Sequence, residues 1–189
     1  MSFTETNIQS LAHHGESVKL IQLTDTHLCR EAGGTLLGID TDASLQAVID
    51  LVKSEHSQQD LVLGTGDLSD NGSLPAYERV QSYFKQLDGE YIWLPGNHDD
   101  RKQMAEVVGD PARLCSEIHI GHWQLVALDS QIPGEVGGRL GEPELARLEI
   151  ALTRGAENNL YSFICMHHQP VPVGCDWLDE QMVSDAGAF

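Results

Sequence analysis

Four short segments of this chain end in side chains that bind metals. They are Leu23-Thr24-Asp25-Thr26-His27, Gly64-Thr65-Gly66-Asp67, Pro95-Gly96-Asn97-His98-Asp99 and Met166-His167-His168. Each follows an apolar run that reads as a strand. In open α/β sheets, ligand sites form beyond the carboxyl ends of strands. Four strands laid side by side would gather Asp25, Asp67, Asn97 and His167 at one edge, although they are far apart in sequence. Carboxylate oxygen, amide oxygen and imidazole nitrogen together suit borderline cations such as Mn, Fe or Zn. Asp67 is the natural bridge, because a carboxylate can touch two cations at once. Two metals about 3.5–4 Å apart can clamp both ends of an in-line phosphoryl displacement.

Taken singly, the motifs differ in weight. Gly66-Asp67 is ordinary turn chemistry. Asp25-Thr26-His27 could be a helix cap or a polar loop pair, and His167-His168 a packed or surface pair. Gly96-Asn97-His98-Asp99 is far more distinctive. The order of all four, each behind a strand, carries the reading.

The elements that must position these residues can be followed along the chain. Residues 1–17 read as a loose tail, and residues 18–189 as one domain. Val18 to Leu23 reads as a strand ending at Asp25. Residues 28–40 form a loop with Gly33, Gly34 and Gly38. Asp42 can cap a helix in which Leu45, Val48, Ile49 and Val52 share a face. Leu61-Val62-Leu63 is a short buried strand. Pro75 suits a first helical position, and Tyr77, Val80, Phe84 and Leu87 make one apolar face behind it. Tyr91 to Leu94 is the third strand, and a short polar helix follows near residues 100–108. Residues 117–128 read as a hairpin turning at Gly121-His122. Pro143 opens a helix with Leu145, Leu148 and Leu152 on one side, and Tyr161 to Met166 is a strand running into His167. This alternation predicts a layered α/β fold.

Composition narrows the function classes. A chain of 189 residues that is 41% apolar can bury a useful core as one domain. No apolar run reaches the roughly 20 residues of a spanning helix, and the first 17 residues lack a signal-peptide core. Both readings point to a cytoplasmic protein with no membrane partner. Cys29, Cys115, Cys165 and Cys175 show no C-x-x-C pairing and read as reduced packing thiols. The formal charge is −18, from 11 basic and 29 acidic side chains, so nucleic acid is excluded as a partner. Most of that acidity is solvated surface. An anionic substrate would still need positive charge at the site, and divalent cations would supply it. Oligomeric state is not legible.

The four motifs resemble those of the calcineurin-like metallophosphoesterases. The stretch from Gln22 to Leu28, Leu37-Gly38, Trp93 to Asp99, Leu128-Asp129-Ser130-Gln131 and Gly174 to Asp179 narrow the resemblance to the bacterial class III 3′,5′-cyclic AMP phosphodiesterases, over residues 18 to about 187. The resemblance implies an αββα sandwich and a centre of two divalent cations, Fe or Mn ahead of Zn. It implies that Asp25 and His27 hold the first, Asp67 bridges, and Asn97 and His167 hold the second. A metal-bridging hydroxide would open cyclic AMP to 5′-AMP. His98 would stand beside the phosphate, stabilising charge or protonating the leaving 3′ oxygen, and Asp99 would orient it. His27, Asp67, Asn97 and His98 would face the substrate.

Related enzymes carry a late Gly-His-x-His, which supplies one further ligand to each cation and another strand. No histidine follows His168 here, so the resemblance implies a shortened member without its last strands. Two other readings stay open: an inert fragment that binds metal or nucleotide weakly, and a related enzyme acting on other phosphodiesters or on phosphomonoesters. His168 is left between a pocket residue and a supporting one. Trp177 could stack on adenine or pack on the core. His13, His14, His56, His119 and His122 read as surface residues.

Overall fold

Strand alternation sets the layers of this computed structural model, which describes residues 8–56, 58–114 and 117–189. In β5 (Leu61–Thr65), Leu61 and Leu63 face one apolar cluster while Val62 faces another. In β8 (Trp123–Ala127), Leu125 and Ala127 face one side and Val126 the other. Successive side chains of a strand point to opposite faces, so both strands are covered twice. The shared cluster sets Leu61, Leu63, Ile92 and Leu94 against Ile118, Ile120, Leu125 and Ala127. It is the layer between two sheets.

The first sheet is parallel, with β5 between β2 (Leu20–Leu23) and β6 (Glu90–Leu94). The second runs in the order β1 (Ile8–Leu11), β7 (Glu117–Ile120), β8 and β9 (Tyr161–Cys165). Its β7–β8 pair is the expected hairpin, and its other pairings are parallel. A small hairpin, β3 (Thr35–Leu36) with β4 (Ile39–Asp40), stands apart from both sheets.

Helices cover the outer faces. Leu45 and Ile49 of α1 (Thr41–Glu55), Tyr77, Val80 and Phe84 of α2 (Leu74–Phe84) and Met104 of α3 (Arg101–Val108) pack with Val62 and Trp93 of the first sheet. Leu148 and Ala151 of α4 (Gly141–Glu157) pack with Val126 of the second. The last helix, α5 (Asp176–Asp179), is a single turn. The layers are therefore the α, β, β and α of the expected sandwich. Among the described residues, no helix is long and apolar enough to cross a membrane.

Several expectations are corrected. Within the expected tail, residues 8–11 are β1, in register Ile8 with Glu117 through Leu11 with Ile120; residues 1–7 lie outside the described residues. Leu11 packs on the inter-sheet core together with Val18, and that contact holds the strand. The cap of α1 is Asp40, whose carboxylate accepts from the Ala43 N–H at 2.9 Å. Asp42 instead takes the Arg79 Nε–H at 2.9 Å and the Gly33 N–H at 3.1 Å. Val48 and Leu152 are exposed, so the buried faces of their helices are narrower than the periodicity implied. Cys165 is buried between the sheets, Cys29 is half-buried and Cys175 exposed, all three as free thiols; Cys115 lies outside the described residues.

The β1 pairing has a measurable consequence. Leu11→Ala removes a half-buried side chain from the inter-sheet core and should cost about 1 kcal/mol in urea unfolding. A loose tail would give no change.

Candidate metal centre

The loops after β2 and β5 are zipped together by their backbones. The Asp25 N–H donates to the Gly66 carbonyl at 3.0 Å, and the His27 N–H to the Asp67 carbonyl at 2.9 Å. The Leu28 N–H reaches the Leu68 carbonyl at 3.1 Å. This pairing continues the β2–β5 ladder past the strand ends, at the cost of left-handed backbone. Asp25, His27 and Asp67 sit at φ of 53°, 42° and 50°. Such conformations are uncommon outside glycine and collect at functional sites.

The carboxylate of Asp67 is nearly buried. Its Oδ2 lies 3.5 Å from His167 Nε2 and 3.7 Å from His27 Nε2, and its Oδ1 accepts the His98 N–H at 3.0 Å. Asp25 Oδ1 is 3.9 Å from the same His27 nitrogen. His167 comes from the second sheet, and its Nδ1–H donates to the Thr65 carbonyl at 2.9 Å. That bond fixes the tautomer, leaving the Nε2 lone pair toward Asp67. The room is made by glycine: a Cβ on Gly66 would lie 2.5 Å from His167 Nδ1, and one on Gly96 would run into the Asp67 carboxylate.

Electrostatics follow from this placement. Burial alone would raise the pKa of Asp67, but the neighbouring His167 and the His98 N–H outweigh it and hold the group below its usual range. Burial alone would lower the pKa of His167; Asp67 beside it and the Thr65 carbonyl reverse the sign.

The donor set fits divalent cations. Asp25, Asp67 and His167 offer donor atoms all within 4.8 Å of one another, and so do His27, Asp70 and His98. The gaps at Asp67 are too long for good hydrogen bonds. Donors about 2.1 Å from one ion stand roughly 3 to 3.5 Å apart, close to what is seen. Among the described residues, the buried Nδ1 of His27 has no hydrogen-bond partner, and Asp70 Oδ1 stands 3.7 Å from it. The structure thus brings Asp25, His27, Asp67 and His167 together. Asn97 is half-buried beside exposed His98, and among the described residues its side chain makes no hydrogen bond.

Asp99 is corrected. It was expected to orient His98, but its carboxylate accepts from the Gly96 N–H at 2.9 Å, the Ser69 N–H at 3.1 Å, the Leu68 N–H at 3.3 Å and the Tyr77 hydroxyl at 2.8 Å. The turn that donates the Asp99 N–H to the Gly96 carbonyl folds this side chain back under the strand ends. Burial pushes its pKa up against those donors. The partner of His98 is the Asp70 carbonyl, which accepts its Nδ1–H at 2.8 Å.

Three supporting residues were missed by sequence reasoning. Asp70 was signalled by its place three residues after Asp67. Tyr77 read only as core, and Gln131 entered only within the Leu128-Asp129-Ser130-Gln131 stretch of the resemblance, with no role assigned to it. The Gln131 side-chain amide donates to the Gly96 and Asp99 carbonyls, both at 2.6 Å.

His168 is a brace. It is buried, with Nε2–H donating to the Val136 carbonyl at 3.1 Å and Nδ1 accepting from Ser130 at 2.8 Å. Trp177 is exposed, not packed on the core. His13 and His119 are half-buried beside Asp60 and Glu117, which corrects their reading as free surface residues.

The family model described as calcineurin-like phosphoesterase matches residues 18–186. This chain belongs to that family. Curated relatives of this chain are named 3′,5′-cyclic adenosine monophosphate phosphodiesterase CpdA. It is 41% identical to the one from Vibrio vulnificus over 92% of this chain and 63% of the relative. The one from Pseudomonas aeruginosa is 41% identical over 86% and 59%, and that from Escherichia coli 36% over 90% and 62%. The chain therefore spans about three-fifths of the length of these relatives. The fold is shared with the crystal structure of a dimetal phosphatase from Danio rerio, at a TM-score of 0.69 and 14% identity, over 90% of this chain and 75% of that one.

Two outcomes test how the loops are held. Asp99→Ala orphans three backbone N–H groups and a buried hydroxyl, and should cost about 3–5 kcal/mol in chemical denaturation. Tyr77→Phe leaves the carboxylate bonded and should cost about 1 kcal/mol. The second outcome concerns pH. Burial, opposed by Arg101 at 2.6 Å, raises the Asp129 pKa from 3.8 to about 6. The folded state then holds a proton that the unfolded chain releases, so this group's contribution to stability falls as pH rises from about 4 to about 6, by roughly 3 kcal/mol. Denaturation midpoints of Asp129→Asn should gain on the native chain across that window.

Proposed function

We propose that this chain carries the catalytic centre of a two-metal phosphodiesterase that hydrolyses 3′,5′-cyclic AMP to 5′-AMP. The observation that carries the reading is the Asp67 carboxylate, with one oxygen facing the Nε2 atoms of both His27 and His167 at 3.7 and 3.5 Å. A single oxygen placed between two imidazole lone pairs is suited to sharing two cations. The names of the relatives support cyclic AMP as the substrate.

In this reading Asp25, His27 and Asp67 hold one cation, and Asp67, Asn97 and His167 the other. The donors suit Mn, Fe or Zn. Bound there, two such ions would supply charge opposing the phosphoryl oxygens and a water acidic enough to attack phosphorus near neutral pH.

The chain's own groups do the rest. His98 keeps its ring fixed through Nδ1–H on the Asp70 carbonyl. With its Nδ1 proton committed there, the ring donates from Nε2 only as the imidazolium, to a phosphoryl oxygen or to the leaving 3′ oxygen. The ring stands edge-on to His27 with centroids 4.8 Å apart, next to the ligands and within reach of a phosphate they hold. His27, Asp67, Asn97 and His98 together form the substrate-facing wall.

Metal content and turnover measured on the same preparations test this. His98→Ala should keep its Mn while losing 10²-fold or more in cyclic AMP turnover. Asp67→Ala should lose both ions. Retention of two ions by Asp67→Ala would remove the shared-carboxylate assignment, and full activity of His98→Ala would remove the proton-donor role.

A further inference from the structure

Beside the candidate metal centre, the β3–β4 hairpin and the first turns of α1 enclose a cleft of about 290 Å³. It runs from Asp25 and His27 to Leu36, Leu37, Ile39 and Val48. Asp25 is the one carboxylate among its lining residues, and none of them is Lys or Arg. The end next to the ligands is polar, and the far end is aliphatic.

Folding does not account for the far end. Leu37 and Gly38 form the hairpin turn at φ of 50° and 85°. A turn with two left-handed residues favours Asn-Gly, and a leucine at its first position is strained by about 1–2 kcal/mol. The Leu37 side chain is also 97% exposed, with Ile39 at 61% and Val48 at 41%. Scattered apolar residues on a surface are ordinary. Here three of them, one at a strained position, line a single cleft that opens onto the proposed metal ligands.

We infer that this hairpin cleft is the subsite for the nucleobase of the phosphodiester, with Leu37 covering one face of the ring. The inference rests on the phosphodiesterase reading and adds what selects the substrate. A phosphate held at Asp67 leaves its organic group beside the cleft mouth. An aliphatic wall free of cations rejects a second charged group and accepts a flat uncharged ring, while lining Ser44 offers a hydroxyl at its edge. The strain at Leu37 is explained if its side chain is placed for a ligand and not for the core.

Binding to the Mn-loaded chain separates the two readings. Calorimetry would compare adenosine 5′-monophosphate with ribose 5-phosphate, which carries the phosphate and sugar without the base. The native chain should prefer the nucleotide by tenfold or more. Leu37→Asn should erase most of that preference, leave ribose 5-phosphate affinity unchanged, and keep or raise the melting temperature, because asparagine tolerates left-handed backbone. Equal affinity for both ligands in the native chain, or equal loss of both in the variant, overturns the base subsite and leaves the metal-phosphate reading standing. No binding of either ligand overturns both.

Discussion

The Asp67 carboxylate is the constraint around which the structure is arranged. It is a nearly buried anion whose two oxygens serve three elements: Oδ2 faces His27 and His167, and Oδ1 takes the His98 N–H. Burying a carboxylate is unfavourable unless charge or hydrogen bonds compensate. Here His167 and the His98 N–H outweigh that cost. Asp25 and Asp70 stand close by in a chain of net charge −18. A site this acidic is most stable with cations in it, so binding metal and holding the loops together are one electrostatic problem.

Why a two-sheet sandwich solves it follows from where the donors come from. Asp25, Asp67 and His98 leave the ends of three parallel strands in one sheet, and His167 leaves β9 in the other. The aliphatic layer between the sheets sets their spacing. The His167 bond to the Thr65 carbonyl then spans that gap at the strand ends. A close-packed interior transmits small changes, so a shift of either sheet would move His167 relative to Asp67. The left-handed turns at Asp25, His27 and Asp67 are tolerated because the loops that hold them are bonded to one another and to Asp99 beneath.

Much of this was legible along the chain. The unbroken apolar runs Leu61-Val62-Leu63 and 125–128 mark strands buried on both faces, and residue types that bind metals, placed directly after strands, point to the candidate site. β1 was not legible, because Ile8 and Leu11 are too few apolar residues to stand out and the partner that makes them a strand lies over 100 residues away. The cap of α1 fell to Asp40 and not Asp42 because β4 ends immediately before the helix, which spacing alone cannot decide. Asp99 was misread for a similar reason. Adjacency in Asn97-His98-Asp99 suggests a pair, but the direction of the turn sends neighbouring side chains to opposite sides. Gln131 reaches the same loop from a distant segment, so the Leu128-Asp129-Ser130-Gln131 stretch does not reveal which carbonyls its amide bonds.

That reversal at Asp99 changes the chemistry available to His98. Adjacency had suggested a carboxylate on Nδ1; the main-chain carbonyl found there fixes the orientation of the ring instead. The carbonyl belongs to Asp70, whose carboxylate stands 3.7 Å from His27 Nδ1. One residue therefore serves both parts of the proposed centre, holding His98, the proposed proton donor, through its backbone and facing His27, a proposed metal ligand, through its side chain. Asp99 below holds the Gly96, Leu68 and Ser69 amides, which flank Asp67 and lead into Asp70. The buried carboxylate thus acts on His98 at one remove, by fixing the loop whose carbonyl the imidazole needs.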